Sequence, residues 1–183
     1  MTIGRWGEAI VEMERALQED PLHVLCRSHL AACLYAAGRH SDAFKQVRQV
    51  LEIDENFWVA YWYLSMFNLT EGDLAEARAS AERAYSLMSP NTLATGLLAG
   101  LLAREGEAAR AEALLAQLPP PESYGMPMAW ASYCLAQLRI DDAAEWVERA
   151  IEQRDPRVTY VLADLRTSTH WPALARKLGL PGS

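Results

Sequence analysis

The chain has 183 residues, of which 51% are hydrophobic and 22% charged, a composition typical of a folded domain or a short repeat array. Its net charge of −7 argues against a general nucleic-acid surface, which needs a basic stripe to displace phosphate counterions. No apolar run is long enough to span a membrane, and the N-terminal residues show no signal-peptide pattern.

The sequence repeats every 34 residues from residue 4 onward. Each repeat places a glycine first and then small or apolar residues at fixed distances from it. The repeated columns are Gly4, Gly38, Gly72 and Gly106; Ala9, Ala43, Ala77 and Ala111; and Ala16, Val50, Ala84 and Leu118. A fixed period of this length is typical of a solenoid.

The spacing within each unit predicts a helix, a turn and a second helix. The two apolar columns lie seven residues apart, which is two helical turns on one face. Each glycine suits the tight turn before this helix because it adopts positive φ angles without steric cost. Apolar periodic stretches at 24–37 and 58–71 precede the next glycines. One hairpin cannot bury both faces, so we expect the units to stack into an all-α solenoid of about ten helices.

The first unit contains only the second helix of such a pair, because three residues precede Gly4. This helix has an apolar stripe that a preceding helix would normally cover. The stripe consists of Ile10, Met13, Ala16 and Leu17. We expect either a homodimer that pairs through this N-terminal helix, or coverage by residues encoded upstream.

Two segments further along the chain depart from the repeat. In the stretch "LPPPESYGMPM" at 118–128, three consecutive prolines cannot continue a helix. We interpret 119–123 as an irregular connection inside one solenoid, and a domain boundary at this point is the alternative. The stretch "GLLAG" at 96–100 places two glycines one helical turn apart, which favours either close helix contact or room for the backbone of a ligand. After residue 156 the repeat ends. Short helices are predicted near 157–164 and 171–178, with Pro172 in a first turn and Gly179 at a C-terminal cap.

No catalytic, cofactor or metal site is predicted from the sequence. The nearest metal-like cluster is His23, Cys26, His29 and Cys33, but four ligands along one helix cannot converge on a tetrahedral ion. Ser28 and His29 point about 100° apart on a helix, which disfavours activation of a nucleophile. Three cysteines without a framework spacing predict a reducing compartment, and therefore a cytoplasmic protein.

The repeat resembles the tetratricopeptide repeat (TPR) family. The matching positions in the second unit are Leu30, Ala31, Leu34, Gly38, Ala43, Val47 and Val50. Departures from the family pattern include Glu55 and Ser89 for proline, and Leu138 where a glycine is expected. The resemblance implies a right-handed TPR-type helical-hairpin solenoid with C-terminal capping helices. Its expected parts are a half repeat at 3–21, repeats at about 24–55, 58–89, 92–118 and 124–156, and a capping segment at 157–183.

In the TPR family the first helix of each hairpin lines a concave groove, and the resemblance implies which side chains lie there. The groove residues that we expect to bind a partner are Ser28, His29, Tyr35, Trp62, Tyr63, Met66 and Arg104. The alternative for the aromatic residues of this set is that they fill the packing between helices. One TPR subgroup binds the C-terminal carboxylate of a peptide through Lys, Arg and Asn at these positions, and this chain lacks that set. The aromatic side chains therefore favour an apolar or aromatic segment of a protein or peptide as the partner. The predicted function is a non-catalytic binding scaffold, with no direct nucleic-acid or membrane partner.

Two alternatives remain open on the sequence. The run from 148 to 181 is similar to the tails of bacterial proteins that carry TPRs behind winged-helix, adenylate-cyclase or protein-kinase domains. The chain would then be the regulatory or sensor part of a larger signalling or transcription-regulatory protein. The incomplete first unit instead favours a self-association module.

Overall fold

The computed structural model describes residues 6–120, 122–162 and 164–180. In these residues the chain forms ten α-helices, two short 3-10 helices and no strand. The α-helices are α1 (Trp6–Glu19), α2 (Val24–Ala36), α3 (His40–Ile53), α4 (Trp58–Glu71), α5 (Leu74–Leu87), α6 (Thr92–Arg104), α7 (Ala108–Leu115), α8 (Met126–Ala136), α9 (Ile140–Glu152) and α10 (Trp171–Lys177). The 3-10 helices are Pro156–Tyr160 and Asp164–Thr167.

Consecutive helices pair into hairpins, and the hairpins stack. The pairs are α2 with α3, α4 with α5, α6 with α7, and α8 with α9, while α1 packs on α2. We call α2, α4, α6 and α8 the first helices, because each opens a hairpin. The all-α helical-hairpin solenoid predicted from the repeat is confirmed.

Small and β-branched side chains on the second helices form the interior of the stack. They recur at positions i, i+4 and i+7 and are completely buried. The residues are Ala43, Val47 and Val50 on α3, Ala77, Ala81 and Ala84 on α5, and Ala143, Val147 and Ala150 on α9. Because these side chains are short, the helices can approach closely, and burial of this apolar stripe contributes to stability.

The repeated glycine occupies the turn between the two helices of each hairpin. Gly38, Gly72 and Gly106 have φ angles of 79°, 86° and 87°, in the left-handed region where a side chain is strained. In the last hairpin the same position is Leu138, which keeps a positive φ of 58°. The backbone geometry is therefore retained where the glycine is lost.

Replacing Leu138 by glycine is expected to stabilise the protein by about 1 kcal/mol, because it relieves the left-handed strain of a non-glycine residue. The Leu138 side chain is 51% exposed, so little packing is lost. Chemical denaturation of wild type and Leu138→Gly measures the difference. Leu138→Ala is the matched control: it removes the same side chain without the glycine freedom, and a gain as large as that of Leu138→Gly would rule out backbone strain.

The "GLLAG" stretch lies on α6 and forms a close helix contact. A Cβ atom built on Gly96 would lie 2.0 Å from the carbonyl oxygen of Ala129, and one on Gly100 would lie 2.5 Å from that of Tyr133. Both oxygens belong to the backbone of α8. The two glycines therefore let α6 and α8 pack backbone to backbone, as the first of the two sequence interpretations expected.

The predicted apolar stripe of α1 divides between two environments. Ile10 and Leu17 are buried, whereas Met13 is half-buried and Ala16 is exposed. The half-buried Met13 faces the C-terminal part of the chain across a cavity described below. Pairing of two copies through α1 stays a prediction.

The C-terminal residues differ in detail from the sequence expectation. In place of an α-helix near 157–164, the chain forms the 3-10 helix Pro156–Tyr160, followed by a turn. The carboxylate of Asp155 accepts hydrogen bonds from both the backbone N–H and the guanidinium of Arg157, which stabilises a tight turn at this point. The second predicted helix corresponds to α10, which packs on α9.

Candidate functional site

The C-terminal segment, described at residues 155–162 and 164–180, crosses the side of the solenoid formed by the first helices. We call this side the inner face. Arg157 contacts residues at the starts of α6 and α8, and Tyr160 contacts side chains of α2 and α4. All four first helices therefore meet one irregular stretch of the same chain.

Arg157 anchors the segment at the N-terminal ends of α6 and α8. Its guanidinium donates to both carboxylate oxygens of Asp155 at 2.9 and 2.6 Å and to the hydroxyl of Thr92 at 2.9 Å. It also lies against Gly125, where an added Cβ would come within 2.2 Å of a guanidinium nitrogen. Asp155 is 2% exposed, so its charge is stabilised by this bidentate pair.

Tyr160 inserts among aromatic side chains of the inner face. Its ring centroid lies 5.1 Å from that of His29, 6.2 Å from that of Trp62 and 6.1 Å from that of Tyr63. These separations fit tilted aromatic contacts, which add to the stability given by buried area. Tyr160 therefore acts as an aromatic anchor of the segment.

The end of the segment is held by α9. Asp141, at the start of α9, accepts hydrogen bonds from the Ser168 hydroxyl at 2.7 Å and the Thr169 backbone N–H at 2.8 Å. Lys177 of α10 pairs with Glu148 at 2.5 Å. These contacts hold α10 on the last hairpin independently of Tyr160.

The groove residues predicted from the sequence occupy three environments. Trp62, Tyr63, Met66 and Ser28 are buried, and His29 is half-buried beside Tyr160. Tyr35 packs between hairpins: its ring stacks on Phe67 at 4.1 Å, and its hydroxyl donates to Glu71 at 2.9 Å. Burial and the Glu71 contact raise the pKa of Tyr35.

Arg104, the last of the predicted groove residues, is exposed at the C-terminal end of α6. Its guanidinium lies 3.5 Å from the carbonyl oxygen of Ala136, the last residue of α8. The structure thus brings His29, Trp62 and Tyr63 together around Tyr160, with Met66 and Ser28 buried on the same two helices, and places Tyr35 and Arg104 apart from them.

A cavity of about 400 Å³ lies between α1, α2, α4 and the C-terminal segment. Its lining is almost entirely apolar and includes aromatic side chains from every wall. The lining residues are Trp6, Ala9, Met13, His29, Ala32, Cys33, Tyr63, Thr159, Tyr160, Leu162, Arg166, Trp171 and Leu180. The cavity is therefore completed by the docked segment and adjoins its aromatic anchor.

The cavity carries one permanent charge among the described residues that line it. Arg166 lies over the Trp6 ring at 6.0 Å and has no acidic partner within 4 Å among the described residues. Burial lowers the pKa of His29, with a smaller contribution from His23, so the imidazole is neutral at pH 7. Burial raises the pKa of the Cys33 thiol to about 11, which keeps it uncharged and unreactive.

The C-terminal segment contains two acidic residues, Asp155 and Asp164. Asp155 is paired with Arg157, whereas Asp164 forms no ion pair with another described residue. Burial raises its carboxyl pKa to about 7, partly offset by a hydrogen bond from its own backbone N–H. Its charge in turn contributes to raising the pKa values of Tyr35 and Tyr63. The docked segment is therefore most stable with Asp164 protonated.

Asp164→Asn is expected to change how stability depends on pH. Between about pH 4 and 7 the unfolded carboxyl loses its proton while the folded one keeps it, so wild-type stability falls as the pH rises through this window. The variant lacks this loss and should exceed wild type at pH 8 by up to about 4 kcal/mol, the full effect of a carboxyl pKa raised from 3.8 to about 7. Denaturation at pH 4, 6 and 8 measures it, with the exposed Glu112→Gln as control for net charge. An unchanged difference at all three values would contradict the shift.

The arrangement of these helices corresponds to a known repeat. The family model for the tetratricopeptide repeat matches residues 4–65 and 68–123. The chain belongs to the tetratricopeptide repeat family. A comparison with curated proteins gives no match.

Solved structures share the TPR arrangement at low sequence identity. The crystal structure of MamA matches at 22% identity with a TM-score of 0.53, over 85% of this chain and 92% of that one. A chain of the structure of Naa15/Naa10 bound to HypK-THB matches at 16% identity with a TM-score of 0.57, over 96% of this chain and 27% of that one. At these identities the likeness shows the fold.

In residues 6–120, 122–162 and 164–180, no three His, Cys, Asp or Glu side chains group as ligands for a metal ion. Within the same ranges, no helix combines the length and the apolar character that crossing a membrane requires.

Sequence reasoning missed the residues by which the segment docks on the TPR inner face. Arg157, Tyr160 and Arg166 belong to the part of the chain that does not follow the repeat, and no column pointed to them. A signal was present: the apolar side chains at 158, 161, 162 and 165 recur at helical spacing, and all four are buried. That pattern predicts burial, but it does not say against which surface.

Proposed function

We propose that this TPR chain is a non-catalytic scaffold that binds a segment of a partner protein on its inner face. TPR proteins are in general scaffolds for protein–protein interaction, and the family membership supports that class of function here. The unpaired cysteines favour the cytoplasm as its location.

One observation carries the proposal. The inner face holds an irregular polypeptide segment of its own chain, with Tyr160 among His29, Trp62 and Tyr63. A surface that accepts one aromatic anchor at the end of a short 3-10 helix has the shape and chemistry to accept another. The chain's own segment occupies the place that we propose for the partner.

The partner would exchange with the turn around Tyr160, while α10 stays on α9 through Asp141 and Lys177. Full release of the segment would expose many buried apolar side chains, each worth about 1.5–3 kcal/mol, and is therefore disfavoured. Local exchange of one aromatic anchor for another restores the buried area. His29, Trp62 and Tyr63 contact the anchor. Ser28 and Met66 lie buried on the same two helices, and Tyr35 and Arg104 lie outside this contact.

The experiment uses the segment itself as the probe. A fluorescein-labelled peptide with the sequence of residues 154–168 is titrated with the full chain and followed by fluorescence anisotropy. Tyr160→Ala in the chain weakens the resident anchor, so the peptide should bind this variant about tenfold more tightly than wild type. The same substitution in the peptide should abolish the gain.

Tyr124→Ala is the matched control, since Tyr124 is an exposed tyrosine that contacts Arg157 outside the aromatic cluster. It should leave peptide affinity near that of wild type. Equal binding of the peptide to wild type and to the folded Tyr160→Ala chain would overturn the proposal that the inner face receives a partner segment.

A second candidate is the regulatory or sensor part of a larger signalling protein. The observation that favours it is the cavity to which the docked segment contributes one wall, with Thr159, Tyr160 and Leu162 on that wall and α1 and α2 on the other. A ligand in this position would stabilise the docked segment. A small molecule that binds in the cavity would therefore reduce binding of the labelled peptide in the anisotropy experiment, and this result would distinguish the second candidate from the first.

A further inference from the structure

We infer that the cavity between α1, the inner face and the C-terminal segment binds a small amphipathic monocarboxylic acid. The apolar body of the ligand would occupy the cavity, and its carboxylate would pair with Arg166. This site goes beyond the proposed function and does not depend on it, because it uses the chain with its segment docked.

The size and lining of the cavity indicate an apolar small molecule. A volume of about 400 Å³ falls within the range of roughly 300–1,000 Å³ typical of small-molecule sites. Trp6 and Met13 on α1, Tyr63 on α4, and Leu162 and Trp171 on the segment provide apolar walls on several sides. Enclosure by walls from separate elements suits a compact ligand better than a helix of a partner.

The charge distribution specifies the polar end of the ligand. Arg166 is the only permanently charged side chain among the described residues of the lining, and these residues give it no acidic partner. A guanidinium binds a carboxylate through two parallel hydrogen bonds, which a hydroxyl or an amine cannot reproduce. The lining has no acidic side chain in the described residues that would repel an anion.

The position of the site couples ligand binding to docking of the segment. Thr159, Tyr160, Leu162 and Arg166 belong to the segment, whereas Ala9, Met13 and Ala32 belong to α1 and α2. A ligand that touches both sides binds only the docked state and therefore stabilises it. The acid should accordingly reduce binding of the labelled 154–168 peptide.

The test is isothermal titration calorimetry of the full chain with decanoate and with decan-1-ol, its neutral counterpart. We expect decanoate to bind with one-to-one stoichiometry and more tightly than decanol. Shortening the acid to octanoate should weaken binding roughly fourfold for each methylene removed. Arg166→Gln should weaken decanoate about tenfold and leave decanol unchanged.

Two variants and one control complete the design. Thr159→Trp, at an exposed position of the lining, should obstruct both ligands without disturbing the core, and Ala32→Phe should do the same from the opposite wall. Arg48→Gln removes an exposed arginine of α3 outside the cavity and should bind like wild type. Absence of decanoate binding to folded wild type, equal affinity for decanol, or an equal loss in Arg48→Gln would each overturn the inference.

Discussion

Replacing Gly96 by alanine is expected to lower the free energy of unfolding by about 2–3 kcal/mol. The new Cβ would lie 2.0 Å from the carbonyl oxygen of Ala129 and 2.8 Å from its carbonyl carbon. Neither atom belongs to a flexible side chain, so α6 and α8 must separate along their contact. The loss of packing exceeds the gain of up to about 1 kcal/mol that alanine brings to a helix interior.

Gly7→Ala is the matched control for this experiment. Gly7 lies in α1, is exposed, and has no atom within 4 Å of an added Cβ. Its replacement should be neutral or stabilise slightly, by about 0.5–1 kcal/mol. Thermal or urea denaturation compares the two variants with wild type. If Gly96→Ala melted like Gly7→Ala, the backbone contact between α6 and α8 would be contradicted.

Asp155→Ala is expected to destabilise the protein by about 2–3 kcal/mol. The Asp155 carboxylate is buried and accepts three hydrogen bonds from Arg157, one from its backbone and two from its guanidinium. Its removal leaves a half-buried guanidinium with Thr92 as its remaining hydrogen-bond partner among the described residues. The variant therefore loses the ion pair that positions Arg157, the residue that holds the segment at the starts of α6 and α8.

The comparison is with Asp142→Ala, which breaks an arginine–aspartate pair of similar length on the surface. Arg139 and Asp142 are about half exposed, and such pairs contribute about 0–1 kcal/mol. Urea denaturation of both variants gives the difference. Equal losses in the two would show that the Asp155 pair is no more important than a surface ion pair.

The repeated part of the fold could be predicted because its signals are local. The glycine column predicted turns whose φ angles are near 80°. The absence of a glycine at Leu138 also identified the position where the same turn is strained. The seven-residue spacing of small side chains identified the stripe that is buried on α3, α5 and α9. Each of these features depends on residues close together in sequence.

The site could be predicted only in part because it depends on contacts distant in sequence. The interpretation of α2 and α4 as groove helices identified His29, Trp62 and Tyr63, but their neighbour Tyr160 lies about 100 residues further along the chain. No repeat column contains Tyr160, and the helical spacing of the apolar residues in its segment predicts burial without indicating the surface that buries them. The surface on which the C-terminal segment docks depends on tertiary packing, which the spacing of residues alone does not determine.

Coupling between Tyr160 and His29 tests most directly the central claim that the inner face holds the chain's own segment. Unfolding free energies of wild type, Tyr160→Ala, His29→Ala and the double variant form a double-mutant cycle. Because the ring centroids lie 5.1 Å apart, we predict a coupling of about 0.5–1.5 kcal/mol. The pair of Tyr124 and His29, which share no contact in the described structure, should be additive within about 0.3–0.5 kcal/mol. Additivity for Tyr160 and His29 would contradict the docked segment, and with it the proposed site.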